Sequence, residues 1–170
     1  MRTGAISEEL VEETWMEVGG MTDMTEAANF SREFSKAQPA LASFLLEFSR
    51  DLSRDAHELA FYMGLVIWNC YEKTALTRAT TRELSEEEVI EKYESFDAEL
   101  GALAGTDERM IERRVLHSKD YPQPAILKYI VETLYEENDS PEAVTLTDDE
   151  KGELFIIMKV AADCLDAAYS

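Results

Sequence analysis

Apolar side chains recur along this chain at intervals of three and four residues, and no alternating stretch is long enough to read as a strand. That period belongs to amphipathic helices, so the pattern predicts an all-α fold. Leu10, Val11, Trp15 and Val18 mark a first helix over about 7–18, capped by Ser7 and stopped by Gly19-Gly20. Ala27, Phe30 and Phe34 stripe a second, which starts near Asp23 and closes at Gln38, because a residue before proline is pushed out of the helical region. Pro39 then suits the first position of a third helix, about 39–48. A fourth is predicted over about 54–75, and its centre, 59–68, is apolar on every side. Such a helix belongs in the middle of the packing.

The second half repeats this grammar. Ser85 with Glu88, and Thr147 with Glu150, have the spacing of capping boxes for helices over about 85–103 and 148–168. Between them the periodicity predicts helices over about 107–117 and 124–137. Gln38-Pro39-Ala40 matches Gln123-Pro124-Ala125, and each is followed by a similar apolar run and a Glu at equal offset, Glu47 and Glu132. With the caps Ser53 and Thr147 aligned, Phe61 meets Phe155, Val66 meets Val160, and Cys70 meets Cys164. The expectation is one domain over 1–170, a compact bundle of about eight helices. It is built around two diverged helical hairpins, about 38–73 and 123–167, related by a pseudo-two-fold axis, with 1–6 as a flexible lead-in.

Composition narrows the partners. Thirty-six acidic against 16 basic residues leave a net charge of -20. Such a field repels phosphate backbones and anionic lipid, so neither nucleic acid nor membrane is an expected partner. The start of the chain has no apolar signal region, and the run 59–68 falls far short of a bilayer span. The two cysteines sit in apolar segments without a CxxC pair and read as reduced thiols of a cytoplasmic protein.

Candidate chemistry is sparse. Asn69 with Glu72, and Asp163 with Asp166, are matched pairs three residues apart on the two central helices. Carboxylates on facing bundle helices are a known way to hold a hard divalent cation, although the Glu-x-x-His of a di-iron site is missing. Arg109, Arg113 and His117, with Arg114 beside them, form a basic island suited to an anion or an acidic partner, or to plain ion pairing with neighbouring acids. His57 and His117 are the only histidines, and neither stands in a triad frame. Phosphate-binding glycine loops are absent. No cofactor is expected, a divalent metal being the one alternative.

The leading functional expectation is a non-enzymatic interaction or oligomerisation protein, partnered by another protein or by itself as a homodimer, with the apolar stripe around Trp15 docking either on the bundle itself or on a second chain. The alternatives are a metal- or nucleotide-dependent enzyme built on Asn69, Glu72, Asp163 and Asp166, and a binder of a small apolar ligand beside Tyr62 and Trp68.

Overall fold

The computed structural model describes residues 5–21, 23–75, 82–102, 123–135 and 146–169. Among them are seven helices and no strand: α1 (Glu8–Gly19), α2 (Met24–Ala37), α3 (Pro39–Phe48), α4 (Arg54–Ala75), α5 (Glu86–Ala102), α6 (Pro124–Tyr135) and α7 (Asp148–Ala168). The helix predicted over 107–117 lies outside the described residues. No described helix is long and apolar enough to cross a membrane.

Local signals set the helix ends. The Ser7 side chain accepts from the Leu10 N–H, and the Asp23 side chain accepts from the Thr25 N–H. Gln38 closes α2 and opens α3, with Pro39 in the first turn. Thr147 and Glu150 form the expected reciprocal capping box of α7.

One core joins all seven helices. The segment that is apolar on every side is buried as its pattern requires: Ala60, Met63, Val66, Ile67, Cys70 and Tyr71 of α4 are fully enclosed. On α7, Leu154, Ile157, Met158, Ala161 and Leu165 are equally enclosed. α4 and α7 pack on each other; α1 lies on α4 and α6, and α5 lies on α7 and α3. α3 crosses α4 at Gly64, where a methyl group would meet Leu45 Cδ1 at 2.3 Å, so the close approach depends on the missing side chain. α2 covers α3 and α4 through a single fully buried residue, Phe34.

The two central helices are tied at their starts by one carboxylate. Glu150 Oε1 accepts from its own cap, the Thr147 N–H, at 3.1 Å, while Oε2 accepts from the Ser53 N–H, the cap of α4, at 2.9 Å. The hydrogen bonds from Ser53, then that from Thr147, pull its carboxyl down to about 2 from an ordinary 4.5. A depressed carboxyl contributes stability above its unfolded pKa and loses it as pH falls towards the folded value. Glu150→Gln is therefore expected to lower Tm at pH 7. The gap to the parent protein should close between pH 4.5 and about 2. Paired thermal melts across that window check it, and a gap independent of pH would contradict the assignment.

Candidate functional site

The matched polar pairs on α4 and α7 are the first place to look, and the structure sends them to separate partners. Glu72 accepts a hydrogen bond from the Tyr169 hydroxyl at the end of α7. Asp166 accepts from the Tyr71 hydroxyl of α4 at 3.3 Å, and the two tyrosine rings pack with centroids 5.5 Å apart. Each helix thus lends a phenol to a carboxylate of the other. Burial, and then the bond to Glu72, raise the Tyr169 phenol well above its usual range. Asp163 pairs instead with Lys159 at 2.6 Å, a pair largely out of solvent, and the Lys159 ammonium lies 5.4 Å from the centre of the Phe96 ring. The packing of α5 over α7 covers this pair. Asn69 is buried. Among the described residues no group of three or more His, Cys, Asp or Glu is placed to hold a metal ion.

The two Gln-Pro-Ala segments turn out to be sockets. Gln38 and Gln123 are only 2% and 1% exposed, which is costly for an amide unless its donors and acceptor are satisfied. Gln38 does not cap its own helix. Its Oε1 accepts from the Leu84 N–H and its Nε2 donates to the Arg82 carbonyl, both at 2.9 Å. The side-chain amide reads the backbone on both sides of Glu83, as a strand partner would. The Arg82 N–H in turn donates to the Ala168 carbonyl at 3.1 Å. Gln123 does the parallel work for the segment ahead of α1. Its Oε1 accepts from the Ile6 N–H at 2.7 Å, and its Nε2 donates to Asp166 Oδ1 at 3.2 Å. Ile6, expected in a flexible lead-in, is accordingly pinned and 3% exposed.

The remaining candidates are structural in the same sense. His57 Nδ1 lies 2.8 Å from Ser49 Oγ, a pairing that sequence reading missed. The Ser49 hydroxyl donates to the Leu45 carbonyl and is fully buried, so it offers no exposed nucleophile. Both cysteines are free and buried; desolvation pushes Cys70 up to about 11 and Cys164 to about 12, which keeps them as unreactive thiols at neutral pH. Trp68, expected beside an apolar pocket, is packed against Phe30 and Phe34 with centroids at 5.6 and 5.3 Å. The basic island of Arg109, Arg113, Arg114 and His117 lies outside the described residues.

The surface is different in kind. On α1, Trp15 is 44% and Met16 59% exposed, among Glu8, Glu9, Glu12, Glu13 and Glu17. On α5, Ile90 lies in a shallow concavity among Glu86, Glu87, Glu91 and Glu94. Large apolar side chains inside carboxylate-rich faces are the chemically distinctive feature of the exterior.

No family model, curated protein or solved structure matches the chain.

Proposed function

We propose that this chain is a non-enzymatic interaction module whose partner is a basic segment of another protein. The observation that carries the reading is how the polar side chains are spent. Gln38, Gln123, Asp166, Ser49, Thr14 and Lys159 are buried and engaged in bonds within the fold. The exterior, by contrast, offers apolar residues in a negative field. A net charge of -20 repels a second copy as it repels phosphate, and it attracts a cationic partner. The test is calorimetric titration with synthetic amphipathic peptides rich in Arg and Lys, against charge-reversed peptides of the same pattern. The expected result is saturable binding of the basic peptides alone, weakening about tenfold or more between 50 and 300 mM salt. Absence of saturable binding, or concentration-dependent self-association in its place, would reject the reading in favour of an oligomerisation role.

We also infer that the bundle is a duplication reaching further than the hairpins, with copies over 6–75 and 84–169. Ile6-Ser7-Glu8-Glu9 parallels Leu84-Ser85-Glu86-Glu87, and Val11 parallels Val89. The packing supports this: α1 on α4 and α6 has its counterpart in α5 on α7 and α3. The glutamine sockets support it more directly. Each binds the backbone just ahead of the first helix of the other copy, Gln38 at Leu84 and Gln123 at Ile6.

A further inference from the structure

Comparing the two copies singles out Trp15. With Ser7 aligned to Ser85, Trp15 corresponds to Tyr93. Tyr93 is half-buried against α3: its ring meets Phe48 edge-on at 4.6 Å and Phe44 at 5.8 Å. With Gln38 aligned to Gln123, those two phenylalanines correspond to Tyr129 and Thr133 of α6, the helix on which α1 packs. Thr133 has no ring, and its hydroxyl turns back to the Tyr129 carbonyl at 2.7 Å. On the duplication reading this side carries one aromatic ring fewer, and Trp15 is 44% exposed. Its surroundings say what fits. Glu8 and Glu12 stand seven and three residues before Trp15, on the same stripe of α1. Glu8 is held loosely by Lys128 at 3.4 Å, and Glu12 has no ion-pair partner among the described residues.

We propose that this stripe is the docking surface for the partner, and that it receives an arginine side chain over the Trp15 indole. An exposed indole beside a carboxylate is matched by a guanidinium, which is planar, stacks on aromatic faces and bonds a carboxylate through two N–H groups. A lysine ammonium supplies the charge without the plane. The inference rests on the basic-partner reading and the duplication above, and it goes beyond them by naming the surface and the residue it recognises.

The test uses the full chain carrying Trp68→Phe, so that Trp15 is the only indole. It is titrated with a basic amphipathic peptide containing arginines and with two analogues, in which each arginine becomes lysine or the uncharged, planar citrulline. The arginine peptide should shift Trp15 emission to the blue, and both analogues should bind about tenfold more weakly. Trp15→Ala, read by calorimetry with Tm as a check on folding, should lose about tenfold or more in affinity. Glu12→Gln should weaken binding and flatten its salt dependence. Thr133→Phe, which restores the missing ring, should shift the emission to the blue without peptide and weaken binding. Unchanged affinity in Trp15→Ala and Glu12→Gln overturns this surface while the basic-partner reading stands. Equal affinity for the arginine and lysine peptides overturns the arginine assignment. Failure of every basic peptide to bind the parent protein overturns the broader reading itself.

Discussion

Phe34→Ala is expected to destabilise the protein by about 3–5 kcal/mol, the range for truncating a buried phenylalanine. Phe34 is 0% exposed and is the single buried residue of α2. Its ring packs on Phe61 and Trp68, with centroids 5.7 and 5.3 Å away. Without it, α2 keeps the half-buried Phe30 and a polar outer face, too little to hold a 14-residue helix against its conformational entropy. The loss should be local first. Hydrogen exchange should accelerate across Met24–Ala37 while α4 and α7 stay protected, and Trp68 emission should move to the red as its cover departs. Phe34→Leu should recover most of the loss. A cost below about 1 kcal/mol, or loss of protection spread evenly over the bundle, would show that α2 is anchored by something else.

Gln123→Leu is expected to cost about 2–4 kcal/mol for a different reason. The substitution preserves bulk but deprives the Ile6 N–H of its acceptor and Asp166 of a donor; orphaning a buried polar group costs roughly 1–3 kcal/mol. The residues ahead of α1 should loosen, and the carboxylate of Asp166 should be left poorly solvated in the core. Removing both ends of the bond is cheaper than removing one, so Gln123→Leu combined with Asp166→Leu should lose less than the sum of the single variants. Denaturant melts of the four proteins measure that coupling. Strict additivity would mean that the 3.2 Å contact contributes nothing. Gln123→Glu offers a further check, because it sets two carboxylates side by side and should destabilise by like-charge repulsion.

How much of this was legible beforehand follows from the range of each interaction. The caps at Ser7 and Thr147, the proline starts of α3 and α6, and the Phe30–Phe34 stripe all act within one or two turns, and local spacing reveals them. The central place of α4 was legible too, since only a surrounded helix can be apolar on all sides. The Glu150 bridge to Ser53, the glutamine sockets and the crossed tyrosine–carboxylate pairs join residues 43 to 117 positions apart. Nothing at either end announces the other. A buried glutamine has no periodic signature, and Gln-Pro reads locally as a helix boundary and nothing more. The repeat of Gln-Pro-Ala was the one trace in the chain, and it marked the sockets before their role was visible.

The expected metal set shows the limit from the other side. Helical spacing put Asn69 with Glu72 and Asp163 with Asp166, and each pair does share a helix face. Whether two faces converge depends on how α4 and α7 are rotated against each other. Their packing brings Tyr71 to Asp166 and Tyr169 to Glu72, while Asp163 pairs within its own helix with Lys159.

By itself, then, the amino-acid order determined the helices, their ends, which of them are central, and the negative field around them, because propensity, capping, periodicity and charge are local or additive. The tertiary structure alone decided which polar side chains meet and which aromatic is left exposed. Trp15 and Tyr93 stand on helices of the same grammar. Trp15 is 44% exposed while Tyr93 is half-buried against the rings of Phe44 and Phe48, and a facing ring counts only once two helices have been brought together.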